Sequence, residues 1–128
     1  MADGAQIKSY RDLRVWQDAM TLAEVCYRLT GGFPREEVFG LSAQIRRAAV
    51  SIAANIAEGH GRENTQSFIQ YLRIAQGSLK EIETHLMLAE RVNIAANSKT
   101  DVILVQCENL GKMVRSLIRA LQTKVRKS

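Results

Sequence analysis

The sequence predicts an all-α protein, an antiparallel up-down-up-down four-helix bundle. Three observations carry this. Apolar residues recur at steps of 3 and 4 over four long segments, the spacing that lines one face of a helix. Proline occurs once in 128 residues, at Pro34, so it interrupts none of them. The connecting stretches Gly31-Gly32-Phe33-Pro34, Gly59-His60-Gly61-Arg62 and Asn93 to Asn97 are short, and short connections make successive helices antiparallel neighbours. With 46% hydrophobic and 24% charged residues the chain can build one core, and it is too short for two ordinary domains.

The first segment spans about Asp12 to Thr30 and stops at Gly31-Gly32, where glycine can take the left-handed terminal conformation and Pro34 starts the next element. Of the 17 residues from Leu13 to Leu29, 11 are apolar. One stripe facing partner helices needs fewer. The surplus makes Trp16, Met20, Val25 and Tyr27 candidates for an interface with another subunit, the alternative being apolar side chains singly exposed on an ordinary surface. The second segment, about Arg35 to Ala57, sets Val38, Leu41, Ile45, Ala48, Ile52 and Ile56 on one face, and Gly59-His60-Gly61 is expected to be a turn. Asn64 is the candidate N-cap of the third segment, in which Phe68, Leu72, Ala75, Leu79, Ile82, Leu86 and Ala89 form a sustained heptad seam. Ser98-Lys99-Thr100-Asp101 has the form of a capping box and opens the fourth, where Ile103, Cys107, Leu110, Val114, Leu117 and Leu121 repeat the rhythm. Residues 1–8 and a basic stretch over 124–128 are expected to be flexible ends of a bundle over 9–123.

Composition and spacing exclude several functions. The longest run without a charge, Ala48 to Ala57, has 10 residues, about half of the roughly 20 a membrane span needs. The first residues lack a basic segment followed by an apolar one, so no secretory signal is expected and the cytoplasm is the expected compartment. Cys26 and Cys107 lie within apolar patterns and are expected to be reduced core residues. A di-iron bundle needs Glu-x-x-His pairs; here Ile82 stands three residues before His85 and Ala57 three before His60. Glu81 precedes His85 by four residues, which suits a surface hydrogen bond. No phosphate-binding glycine loop and no nucleophile with a matching base can be recognised, so neither enzymatic activity nor a metal or cofactor is expected.

The net charge of +5 is unevenly distributed. From Lys112 onward the chain carries Lys112, Arg115, Arg119, Lys124, Arg126 and Lys127 and no acid, a local +6, whereas the preceding 111 residues sum to −1. Lys112, Arg115, Arg119 and Arg126 fall on one helical face at spacings of 3, 4 and 7. Together with the adjacent pair Arg46-Arg47, these groups are the candidate contacts to RNA or DNA; solvated charge near a helix C-terminus, or ion pairs within and between subunits, is the alternative. No aromatic residue interleaves the stripe, so base stacking is not indicated. Asn55 and Glu58, on or beside the inner side of the second segment, are expected to be structural polar groups.

Several blocks resemble a known family. Tyr10-Arg11-Asp12-Leu13-Arg14-Val15-Trp16-Gln17, Phe33-Pro34, Gly40-Leu41-Ser42-Ala43-Gln44-Ile45-Arg46-Arg47-Ala48-Ala49-Val50-Ser51-Ile52, Asn55-Ile56-Ala57-Glu58-Gly59 and Gly77-Ser78-Leu79-Lys80-Glu81 are similar to the four-helix-bundle family of 23S rRNA intervening-sequence proteins, which includes the accessory variability proteins of diversity-generating retroelements. The resemblance covers about Tyr10 to Leu121. It implies a bacterial, non-enzymatic homo-oligomer, a ring-shaped pentamer, with basic surfaces, and for retroelement members a nucleic acid and a reverse transcriptase as partners. The chain departs from the family pattern at Ala53, where Pro is common, at Ser67, where Glu is common, and at Asn93-Ile94, near a common Gly-Tyr. The function these readings support is a nucleic-acid-binding accessory protein; an oligomeric scaffold for a protein partner, with Arg46, Arg47 and the 112–127 cations paired to Glu36, Glu37, Glu81 and Glu83, is the alternative.

Overall fold

Among the described residues, 7–127 of this computed structural model, four α-helices account for most of the chain: α1 (Arg14–Gly31), α2 (Leu41–Gly61), α3 (Thr65–Arg91) and α4 (Asn97–Lys127). Each packs on its neighbours in sequence, and α1 closes the circle against α4, so the arrangement is the up-down-up-down bundle the spacing predicts. The seven α3 seam residues are all buried. They meet Ile45, Ile52 and Ile56 of α2, and on α4 Ile103, Cys107, Leu110 and Val114. Further along α4 the buried position is Ile118, while Leu117 and Leu121 are half-buried. A straight helix of 3.6 residues per turn drifts about 20° per heptad, which carries a strict 3-4 repeat off the core face. Cys26 and Cys107 are buried free thiols, and burial pushes both up to about 12. Among the described residues no helix is long and apolar enough to cross a membrane.

Local chemistry explains the helix ends, and several differ from expectation. Before α1, Asp12 does not join the helix; its carboxylate turns back to accept the backbone N–H groups of Lys8 (2.8 Å) and Ser9 (3.2 Å), closing a single 3-10 turn over Tyr10–Asp12. Gly31 and Gly32 do not adopt the left-handed conformation; positive φ occurs at Glu63 (55°) and Asn93 (60°). At Asn93 it completes a Schellman ending: Ile94 N–H bonds to the Ala89 carbonyl at 2.9 Å and Asn93 N–H to that of Glu90 at 3.1 Å. α2 starts at Leu41 rather than Arg35, because Arg35–Glu37 is a separate 3-10 turn from which the Glu37 carboxylate accepts the Leu41 N–H at 3.0 Å. That leaves Val38 outside the core face. Asn64 caps α3 as expected, accepting from Ser67 N–H at 2.9 Å. α4 begins at Asn97, which puts Ser98 inside the first turn and removes it from the capping position; Thr100, fully buried, instead donates to Glu90 at 2.7 Å and ties α4 to the end of α3.

Residues 1–6 of the expected flexible N-terminus lie outside the described residues. At the other end the helical conformation of α4 extends through residues 124–127 of the expected flexible C-terminus. Val125 is half-buried against the core, and cations in a last turn complement the helix dipole. Gly59-His60-Gly61 is helical, not a turn. At Gly59 α2 and α3 approach closely: a Cβ there would sit 2.5 Å from Tyr71 Cβ and 3.1 Å from Phe68 Cδ1.

Gly59 therefore separates packing from helix propensity. Gly77, exposed in mid-α3, has nothing within 4 Å of the position a methyl group would take, so Gly77→Ala should gain about 0.8–1 kcal/mol of stability. Gly59→Ala gains the same propensity but overpacks the α2–α3 contact, so in urea unfolding it should fall about 1–3 kcal/mol below Gly77→Ala. Equal gains in the two variants would contradict this account of the helix contact.

Candidate nucleic-acid interface and apolar groove

Lys112, Arg115, Arg119, Lys124, Arg126 and Lys127 are all exposed on α4. Lys112 Nζ lies 3.5 Å from Glu108 Oε1, an exposed pair of the kind that contributes little. Among the described residues the other five make no ion pair. The antiparallel register adds two cations that sequence reasoning missed. Arg73 of α3 lines a cleft of about 380 Å³ with Arg126, among the amides of Gln66, Gln70 and Gln122. Arg14, at the start of α1, shares a cleft with Lys112. Arg14 also pairs with Asp18 at 3.4 Å; both arginines lie off the apolar seams, and nothing in their local spacing announces these neighbours.

Arg46 is engaged elsewhere. Its Nε donates to Thr30 Oγ1 at 2.7 Å, its Nη2 donates to the Tyr27 carbonyl at 3.2 Å, and the guanidinium stands 4.5 Å from the Tyr27 ring centroid. It thus adds a donor to a carbonyl near the C-terminus of α1 that Thr30 Oγ1 also reaches at 3.2 Å, and pins α2 to α1. Arg47 is exposed, with one 3.4 Å contact to Gln44 Oε1. The pair sits at the end of the bundle that holds the C-terminus of α1, whereas the N-terminus of α1 lies beside residues 112–117 of α4. At 1.5 Å per residue the two basic clusters are on the order of 20–35 Å apart along the axis. Within the chain none of the cations 112–127, nor Arg46 or Arg47, pairs with Glu36, Glu37, Glu81 or Glu83: Glu83 takes Lys80 at 3.1 Å, and Glu37 caps α2.

The two residues expected to be structural polar groups, Asn55 and Glu58, lie at the α2–α3 contact. Asn55 Nδ2 donates to the Ser51 carbonyl (2.7 Å) and Ser51 Oγ (3.0 Å), and Ser51 Oγ shares a 2.9 Å hydrogen bond with Ser78 Oγ across the helices. Asn55 thus supports the inter-helix link without crossing it. Glu58 Oε2 accepts from Arg62 Nη2 at 3.1 Å and from the Tyr71 hydroxyl at 3.0 Å. The Arg62 hydrogen bond, then that of Tyr71, holds the Glu58 carboxyl below its ordinary value of 4.5.

A second feature runs along the outer side of α1 and α2. Trp16, Met20 and Tyr27 face Val50, Ala53, Ala54 and Ala57 across an apolar groove of about 620 Å³, with Tyr10 packed edge-on against Trp16 at 5.2 Å. Glu24 and Arg28 stand at its rim. Three of the four interface candidates therefore share one surface. Val25 does not line it and packs half-buried against the core. Ala53, where the family pattern has Pro, sits within an unbroken α2 and forms part of the groove.

Among the described residues no group of three or more His, Cys, Asp or Glu side chains is placed to hold an ion. His85 Nε2 lies 4.0 Å from Glu81 Oε2, too long for the expected hydrogen bond, and is buried without a partner among the described residues.

A family model described as 23S rRNA-intervening sequence protein matches residues 11–116. The fold is also similar to a crystal structure, at 1.70 Å resolution, of a protein of unknown function from the S23 ribosomal protein family of Bacteroides thetaiotaomicron, with 27% sequence identity, a TM-score of 0.76, and coverage of 81% of this chain and 97% of that one. No curated protein matches the chain.

Glu58 generates a pH test. A carboxylate whose folded pKa is depressed contributes stability that is present above its ordinary pKa and is lost as pH falls through the folded value. Thermal melts of Glu58→Gln should fall below those of the unmodified protein at pH 7, and the difference should shrink as pH drops below about 4.5. A difference that stays constant from pH 7 to pH 3 would show that the Arg62–Glu58–Tyr71 cluster adds no charge-dependent stability.

Proposed function

The chain belongs to the 23S rRNA-intervening sequence protein family, and from that premise we propose that it is a non-enzymatic, homo-oligomeric accessory protein that binds RNA or DNA through the phosphate backbone. The observation that carries this reading is the cationic half of α4: five exposed cations without an ion pair among the described residues, joined by Arg73 from α3. Lysine and arginine side chains of this kind neutralise phosphates without reading bases. One copy of the patch binds weakly. Several copies on a ring turn later contacts into intramolecular ones, so apparent affinity rises without new chemistry.

The groove supports the oligomeric half of the proposal. An apolar concavity lined by Trp16, Met20 and Tyr27 is costly to leave in water, and covering it with another subunit removes that cost. The pentameric number, and a reverse transcriptase as protein partner, rest on the family resemblance alone. Arg46, bonded to the end of α1, is assigned to the fold, and Arg47 is a minor contact remote from the main patch.

Two measurements test the halves separately. Titration against single-stranded RNA, duplex RNA and duplex DNA at several salt concentrations should give binding whose log K falls linearly with log salt. Arg115→Glu with Arg119→Glu should flatten that slope by roughly 0.7–0.9 for each phosphate no longer neutralised and weaken all sequences alike. An unchanged slope in a folded, still oligomeric double variant would assign these residues to solvated charge and favour the scaffold reading. Light scattering of the unmodified protein at micromolar concentration should give a multiple of 14.3 kDa, and Tyr27→Arg should reduce it to a single chain. A mass of one chain for the unmodified protein would end the oligomeric reading.

A further inference from the structure

The largest anomaly on the surface is not in the groove. Phe39, in the connection between α1 and α2, is 94% exposed, and Val38 beside it is 52% exposed. Their placement is enforced: Glu37 caps α2 at Leu41, so the chain between the 3-10 turn and the helix is held outward, away from the core. A phenyl ring presented in this way costs free energy in water and contributes nothing to the fold of its own chain. The same molecule carries a concave apolar groove that its own side chains leave unfilled. Two concave faces cannot fill one another, whereas a projecting ring on one copy and a groove on the next are complementary in shape.

The charges beside the two features are complementary as well. Arg35 and Glu36, just before the projecting ring, are exposed and make no ion pair among the described residues. Arg28 and Glu24, on the groove rim, are exposed and hold one another only at 3.7 Å. A docked loop can therefore offer an acid to Arg28 and a base to Glu24. We propose that Phe39 of one copy inserts into the α1–α2 groove of a second copy, between Met20 and Tyr27 on one wall and Val50 and Ala54 on the other. This deepens the oligomeric part of the proposed function and rests on it. A contact of this kind is heterologous: each copy uses its ring on one neighbour and its groove on the other, and the chain of contacts ends only when a ring of subunits closes.

The test uses two full-length variants that each remove one half of the contact. Phe39→Ala deletes the ring and, because Phe39 touches little of its own chain, leaves the bundle folded. Ala54→Arg, at an exposed helical position, blocks the groove, and Met20→Arg provides a second block should the first disturb α2. Circular dichroism checks that each is folded. Each variant alone should sediment as a single chain, since removing a buried aromatic anchor weakens binding by roughly 30-fold or more. Mixed in equal amounts they should form a 1:1 dimer, because the ring of the blocked-groove variant still fits the groove of the ringless one. An assembled Phe39→Ala, or two dissociated variants that do not pair on mixing, overturns the insertion while leaving the oligomer itself standing. An unmodified protein that sediments as one chain overturns both.

Discussion

The buried seam of α3 is the constraint on which the rest depends. Seven residues at alternating steps of 4 and 3, from Phe68 to Ala89, are all withdrawn from water, and burying side chains of this kind contributes about 1.5–3 kcal/mol for each large one. A seam of that length permits no sliding, because a shift of one residue would rotate apolar side chains out and polar ones in. It therefore fixes the register of α2 on one side and α4 on the other. Gly59 sharpens the lock: α2 can lie close to α3 only where the side chain is absent, against Tyr71 and Phe68.

Register then distributes the polar chemistry. Ser51 meets Ser78, and Asn55 steadies the pair from one turn away. Thr100 reaches Glu90, which closes the loop between α3 and α4. Arg46 comes level with the last turns of α1, where it donates to the Tyr27 carbonyl and stacks on the Tyr27 ring. None of these links is strong alone, since a net hydrogen bond contributes about 1 kcal/mol. Their effect is to hold ends and loops in place, leaving the cations of α4 and the groove of α1 and α2 on rigid helices.

The cationic face of α4 and the α1–α2 groove are of opposite character. The α4 face is polar, cationic and open, suited to a partner with a regular array of negative charge. The α1–α2 groove is apolar with charge only at its rim, suited to a partner that fills space and excludes water. A protein with both can assemble through one and bind through the other without competition. The groove draws on Tyr10, Trp16, Met20 and Tyr27 from one helix and its leading turn, which is why α1 carries more apolar residues than its core stripe needs.

Angle around a helix axis is what the spacing of residues encodes. Spacing alone identifies four helices, the α3 seam, the cap at Asn64, the single cationic face of α4, and the surplus that places Trp16, Met20 and Tyr27 outward. These follow from 3.6 residues per turn and from side chains that bond within their own turn. Packing alone settles at what height each helix stands against its neighbours. Val25 differs from Tyr27 only in the neighbour it meets, and Arg46 differs from Arg47 only in reaching the end of α1. Gly59 reads as a turn because glycine breaks helices, yet the approach of Tyr71 requires it inside one. Arg73 joins Arg126 through a register that no local pattern encodes. Local spacing sets direction, but contact also requires a partner at the right height, and only the packed bundle supplies that.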